Sequence, residues 1–310
     1  MTIYARNKAL LVKIETAYGT DPTPTGALNA IQASNFNFEP SVGQDVSRDL
    51  ILPYMGHQGV ILTGNYARIA FDVEVAGSGD PGTPPAYGPL LRASQMAEVI
   101  TVDTDVKYNP ISSNFESATI YFVNGAIKHI MLGCRGTWKL DFQPSQIARW
   151  SFTITGLLGV ISDSPTMPVG MDLTKFIKPV PVSKANTTFS LFGYAGACEA
   201  FSFDLGADIQ PRLLINAESI ESVDRQMTGQ TTMAAASLAT IDWFGMASAH
   251  ETGVMAAQHG TVAGNIVGFD GANFQLGRAT YTENQKIINN QLPLMALPTV
   301  GNDEFFVTIK

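Results

Sequence analysis

The sequence predicts a mainly β protein, a β-sandwich of antiparallel sheets with a flanking helix, built from two tandem copies of one unit. Three observations carry that expectation. Apolar and polar residues alternate at period two along several segments. Helical periodicity is confined to two short stretches. Short patterns of the first half also return, in the same order, in the second.

Alternation is clearest in four places. Phe36 and Phe38 alternate with Asn37 and Glu39; Ile69, Phe71, Val73 and Val75 with Arg68, Ala70, Asp72 and Glu74. Trp138, Leu140 and Phe142 alternate with Lys139 and Asp141; Trp150, Phe152 and Ile154 with Ser151 and Thr153. Successive side chains of a strand point to opposite sides, so each segment has one apolar and one polar face, as in a sheet covered on one side. Residues 9–14 suggest a further strand. Pro89, a residue suited to a first helical turn, opens one helical stretch that takes in Leu90, Leu91, Ser94 and residues 96–99. Thr240 or Asp242 caps a second, through Trp243, Phe244, Met246 and Ala247 to about His250, with Gly253 beyond its end.

The internal repeat rests on matched fragments. Phe36-Asn37-Phe38-Glu39 returns as Phe201-Ser202-Phe203-Asp204, and Arg48-Asp49-Leu50 as Arg212-Leu213-Leu214. Gly64 returns as Gly229, Leu90-Leu91 as Trp243-Phe244, and Trp138-Lys139-Leu140 as Phe274-Gln275-Leu276. The spacing between matches shrinks along the chain because the first half carries an extra Gly- and Pro-rich loop over residues 76–87. The expected division is an N-terminal arm over 1–33, a first domain over 34–158, an extended connector over 159–190 and a second domain over 191–310. Pro165, Pro168, Pro179 and Pro181 mark the connector.

Composition narrows the function. Only 15% of residues are charged, against about 25% in typical soluble proteins, which suggests a surface covered by other subunits. Lys and Arg number 19 against 27 Asp and Glu, a net charge of −8, which argues against a protein that grips nucleic acid phosphates. Cys134 and Cys198 form no CxxC pair, so a zinc or redox motif is absent and a reduced, intracellular origin is expected. The opening residues lack a signal-peptide pattern, and no apolar run reaches the roughly 18 residues of a membrane-spanning helix.

Catalytic patterns fail on particular residues. His250-Glu251-Thr252-Gly253-Val254 starts like a zinc-protease helix, but Val254 stands where the second ligand histidine is required. Residues 77–82 are glycine-rich without the Lys-Ser or Lys-Thr of a phosphate loop, and no Gly-x-Ser-x-Gly elbow occurs. Asp72 and Glu74 share a strand face as paired catalytic carboxylates do, but an ordinary solvated face is the favoured reading. No cofactor or enzymatic activity is expected.

A resemblance emerges from fragments spread along the chain. Residues 13–25 (Lys-Ile-Glu-Thr-Ala-Tyr-Gly-Thr-Asp-Pro-Thr-Pro-Thr), 46–50 (Val-Ser-Arg-Asp-Leu) and 75–79 (Val-Ala-Gly-Ser-Gly) contribute to it. So do residues 88–93, 115–121, 133–136, 260–265 and 301–304. Together they resemble the major tail (tail tube) proteins of long-tailed, non-contractile bacteriophages. The resemblance implies a structural virion protein, assembled in the host cytoplasm and located in the phage tail. It implies tube domains whose inner sheets join into a barrel, six domains to a ring. With two domains per chain, three chains would make a pseudo-sixfold ring.

On that reading the chain's partners are itself, the tape measure protein, the tail terminator and the distal tail and tip proteins. Double-stranded DNA passes through the lumen without specific binding, and no membrane is involved. Candidate lumen-lining residues are Glu39, Asp72, Glu74, Asp141 and Asp204. Candidate ring-stacking residues are Tyr18 and Asp21 of the arm and Gly79, Asp80, Pro81, Thr83 and Pro84 of the loop. The alternative is a receptor- or carbohydrate-binding β-sandwich of a phage tip or capsid surface.

Overall fold

The computed structural model describes residues 4–164 and 166–310. In chain order the elements of the first half are β1 (Lys8–Ile14), α1 (Gly26–Asn29), β2 (Ala30–Ile31), β3 (Ser34–Ser47), β4 (Val60–Glu74), α2 (Gly88–Arg92), β5 (Met96–Thr101), β6 (Asp105–Pro110), β7 (Ala118–Asn124), β8 (Ile127–Phe142) and β9 (Arg149–Asp163). The second half follows with β10 (Thr187–Leu191), β11 (Cys198–Asp204), β12 (Ala207–Leu214), β13 (Ala217–Arg225), β14 (Thr228–Ala234), α3 (Trp243–Ser248), β15 (Thr252–His259), β16 (Val267–Leu276), β17 (Thr280–Asn284), β18 (Ile287–Ala296) and β19 (Phe306–Ile309). The protein is mainly β, as its alternating segments predict.

Every ladder is antiparallel. In the first half the neighbours run β1–β7–β8–β9–β4–β3. In the second they run β10–β15–β16–β18–β14–β11. The same order recurs, with β17 and β19 as the severed outer portions of what β8 and β9 carry as continuous strands. The hairpin β12–β13 prolongs β11 and β14 as the far ends of β3 and β4 prolong their own near ends. Pairing also refines the sequence match. Phe38 and Phe203 occupy the same ladder position, whereas Phe274-Gln275-Leu276 lies beside β15 and the end of β18, away from the position of Trp138. Apolar alternation alone does not register two strands that share a face.

The two halves are one hydrogen-bonded body. The C-terminal end of β8 pairs with β9 on one side and with β11 on the other, through Phe142↔Phe201, Asp141↔Ser202, Leu140↔Phe203 and Lys139↔Asp204. This produces an eight-strand run, β3–β4–β9–β8–β11–β14–β18–β17. A second layer joins the halves in the same way. The first half's hairpin β5–β6 pairs with β19, which pairs with β16.

Between the layers lies a continuous aromatic core. Trp138 packs edge-on against Trp150 at 5.0 Å in its own half and against Phe305 at 5.8 Å in the other. Phe203 stacks on Phe269 at 4.2 Å. All five side chains are fully buried.

Local chemistry explains most boundaries. The Asp242 carboxylate accepts the Gly245 N–H at 2.8 Å and so caps α3. The first helical stretch is shorter than expected: α2 stops at Arg92, and residues 96–101 form β5. Gln95 adopts a left-handed φ of +61°, which ends the helix, and the following Val99, Ile100 and Thr101 are β-branched. The expected arm over 1–33 carries β1, whose Leu10, Leu11 and Val12 are buried against β7; residues 1–3 lie outside the described chain. The expected connector is also held down. Asp172 N–H donates to Gly26 O at 3.0 Å, and Val182 N–H to Gln146 O at 2.8 Å, while Pro165 lies outside the described residues.

Truncating Phe203 removes a buried stacked ring at the joint between the halves. Phe203→Ala is expected to cost about 3–5 kcal/mol in chemical denaturation, as large-to-small aromatic core changes do. A loss below ~1 kcal/mol would show that the joint contributes little to stability.

Candidate assembly interface and polar face

The sheet's alternation places a row of charged residues on one side. Directly opposite residues of neighbouring strands share a face. Asp72, Ser151, Lys139 and Asp204 are such a row across β4, β9, β8 and β11, and Glu74, Arg149, Asp141 and Ser202 form the next. Lys139 Nζ pairs with Asp204 at 2.8 Å. The Ser151 hydroxyl donates to Asp72 at 2.6 Å, and Asn35 Nδ2 does so at 2.6 Å. Arg149 stands 3.9 Å from Asp72. The patch holds four carboxylates and two cations, so it is acidic on balance.

Asp72, Asp141 and Asp204 therefore share one face of the sheet. Glu74 sits at the margin, beside Lys175 and Phe176 of the connector segment. Glu39 lies apart, opposite Arg68 near the edge of the sheet. Asp141 keeps solvent on one side while protein crowds the other. Lost solvation raises its carboxyl above the ordinary value; Lys139 pulls it back, and the Asp72 and Asp204 carboxylates push it up again. The Lys139 ammonium is held above its ordinary value by its hydrogen bond to Asp204.

The nominated stacking residues divide. Tyr18 is 39% exposed, but its hydroxyl is turned into the chain: it accepts the Ile220 N–H at 2.5 Å, and the ring lies 5.1 Å from the Arg135 guanidinium. Arg135 also donates to Ile220 O at 2.8 Å and pairs with Glu221 at 2.7 Å. This cluster clamps β13 of the second half onto β8 of the first. Burial pushes the Tyr18 phenol above its ordinary value. Gly133 at φ +58° makes room for the Tyr18 ring, because a Cβ there would lie 2.6 Å from it. Asp21 accepts the Tyr121 hydroxyl, again within the chain.

Gly79 N–H donates to Gly264 O at 2.9 Å, and Gly77 N–H to Asn265 Oδ1 at 2.9 Å, so the loop over 76–87 is docked on the second half's 260–266 turn. Asp80 and Thr83 remain exposed, and Pro81 and Pro84 are half-buried. Alternation and loop composition carry no signal of these long-range partners.

Two features escape the sequence reading. Glu15 is buried and fully satisfied: Ser117 and Thr119 hydroxyls donate to it at 2.6 and 2.7 Å, and Gly19 and Gly133 N–H groups at 2.8 Å each. The other is the far end of the β3–β4 hairpin. Ile51 and Met55 there are fully exposed, and Leu50, Tyr54, Ile61 and Leu62 are open as well. Clustered exposed apolar side chains mark an interaction surface.

Among the described residues no cluster of three or more His, Cys, Asp or Glu could hold a metal, and no helix is long and apolar enough to cross a membrane. The surface thus combines an exposed apolar hairpin with an acidic sheet face, features suited to contact with other copies. A family model described as phage tail tube protein matches residues 5–296. The chain belongs to that family, a structural component of the phage tail. A search of curated proteins gives no match.

Replacing Asp141 tests the electrostatics of the polar face. A carboxyl raised in the folded state contributes stability below its ordinary value and loses it as pH rises through the folded one. Charged Asp141 therefore burdens the fold at neutral pH. Asp141→Asn is expected to raise the thermal midpoint at neutral pH and to leave it unchanged below about pH 3.5. A lowered midpoint at neutral pH would contradict this.

Proposed function

We propose that the chain polymerises as stacked rings into the hollow tube of a long, non-contractile phage tail, through which DNA is delivered to the host. The two halves act as tandem tube domains. Three chains then make a pseudo-sixfold ring, and the eight-strand sheets join edge to edge into a barrel. The observation that carries this reading is the β8–β11 ladder, because it already joins two copies of one pairing order side by side. A sheet edge is a row of unpaired N–H and C=O groups, and closure into a barrel pairs them all.

The polar face would line the lumen. Double-stranded DNA carries one negative charge per ~1.7 Å of axis, so a basic wall would hold it by releasing counterions. An acidic wall repels it within a Debye length of ~8 Å and leaves it hydrated. Glu39, Asp72, Glu74, Asp141 and Asp204 are the candidate wall residues. Ring stacking falls to the exposed β3–β4 tip over residues 48–59, with Asp80 and Thr83 as further candidates. The tape measure protein, tail terminator and distal tail and tip proteins are the proposed partners, met during assembly in the host cytoplasm.

Electron microscopy of concentrated protein, alone or with tip proteins added, is expected to show hollow filaments. Monomers under every condition would contradict the reading. Replacing residues 50–57 with a short Gly-Ser turn is expected to leave the subunit folded by circular dichroism and to abolish filaments. Normal filaments from that variant would remove the tip from the stacking contact.

A further inference from the structure

We infer that the exposed edge of β17 receives the β3 edge of a second copy of this chain in one particular register, Glu39 opposite Thr280, Phe38 opposite Tyr281 and Asn37 opposite Thr282, and that this junction is the more polar and weaker of two alternating junctions in the ring. The inference rests on the ring reading above and adds the contact itself.

The internal junction supplies the template. Phe38 lies across from Ile69, which lies across from Ile154; Phe203 lies across from Gly229, which lies across from Leu294. Phe38 and Phe203 therefore hold one ladder position, as do Ile154 and Leu294. Three residues back from Ile154 and from Leu294 are Ser151 and Gln291. Their partners on the next strand are Lys139 and Thr280. Thr280, Tyr281 and Thr282 thus stand where Lys139, Leu140 and Asp141 stand. Within the chain those three face Asp204, Phe203 and Ser202 of β11. The β3 residues at these β11 positions are Glu39, Phe38 and Asn37.

The free edge has the chemistry of an unfilled joint. Leu140 is fully buried under the neighbouring half, whereas its counterpart Tyr281 is 66% exposed. An open groove of about 610 Å³ lies beside it, lined by Leu238, Trp243, Phe244 and Ile288. Phe36 and Phe38 are half-buried on the core side of β3, whose other edge has no strand partner among the described residues. Continuity with the internal junction therefore identifies the occupant as a second copy.

The two junctions differ in kind. Inside the chain, Lys139 pairs with Asp204 at 2.8 Å and Phe142 stacks on Phe201 at 4.4 Å. At the chain-to-chain position the corresponding residues are Thr280 with Glu39 and Glu283 with Phe36. Neither the ion pair nor the aromatic stack is reproduced. The covalent chain thus contains the strong joint, and assembly proceeds through the reversible one.

The test uses the full chain with paired cysteines. Leu205 N–H donates to Trp138 O, so the Ser202–Asp141 pair, three and an odd number of residues along each strand, falls at a closely spaced site without mutual hydrogen bonds. Asn37 and Thr282 inherit that spacing, roughly 4.5 Å between Cα atoms, within disulfide reach. Oxidised tubes of Asn37→Cys/Thr282→Cys are expected to give covalent oligomers up to trimers on a non-reducing gel. The single variants, which retain Cys134 and Cys198, are expected to stay monomeric. Asn37→Cys/Glu283→Cys, one residue out of register, is expected not to link.

A charge swap reads the same register. Thr280→Glu opposes Glu39 and is expected to weaken association roughly twofold to fivefold per junction; adding Glu39→Lys restores it. Tubes that form normally but fail to link, or that link equally out of register, overturn this inference and leave the tube reading standing. Absence of tubes from the unaltered chain overturns both.

Discussion

Four residue pairs between β8 and β11 decide how this molecule is built. Strand β8 belongs to the first half by sequence and by its pairing with β7 and β9, yet its C-terminal end also accepts β11 of the second half. A half-chain sheet alone would leave an edge there, with Leu140 and Phe142 uncovered. The ladder satisfies that backbone edge and brings Phe201 and Phe203 over the exposed apolar face. Further contacts follow from the same juxtaposition. The hairpin β5–β6 reaches β19, and the Tyr18–Arg135 cluster grips β13. Arg225 pairs with Glu304 at 2.5 Å and donates to Ile111 O at 2.7 Å, so another buried charge ties the halves together.

Buried ion pairs of this kind add little net stability over apolar packing, but breaking one by removing a single partner is costly. Their value here is geometric. They fix the angle between two copies of one pairing order, the angle that the proposed ring would repeat at its other joints. The polar face gains from the same constraint. Asp72, Lys139 and Asp204 come from three strands, two in the first half and one in the second, and they form one patch only because the ladder holds them in register.

Much of the fold was legible in local pattern. The strands around Phe71, Trp138 and Phe152 follow from strict alternation, and Asp242 declares its helix by a side chain suited to capping. The likeness of Phe36–Glu39 to Phe201–Asp204 marked two strands in the same ladder position. Other features depend on residues far apart in sequence. Tyr18 looks like a loop residue because nothing nearby announces Ile220, and the glycine-rich segment near Gly79 looks free because Gly264 lies almost two hundred residues away. Residues 96–99 carried helix-compatible side chains; the left-handed turn at Gln95 diverts them into a strand. The exposed tip around Ile51 and Met55 was invisible for a different reason. Composition counts apolar residues without saying which of them remain uncovered.

Amide hydrogen exchange offers the most direct measurement of the central claim, that one edge-to-edge contact is satisfied inside the chain and its twin is left for another copy. In the free protein, amides at the β8–β11 ladder are expected to exchange slowly, and those on the outer edges of residues 34–39 and 280–284 quickly. On assembly both outer edges are expected to become protected together. Fast exchange that persists at both edges in the assembled state would contradict the account.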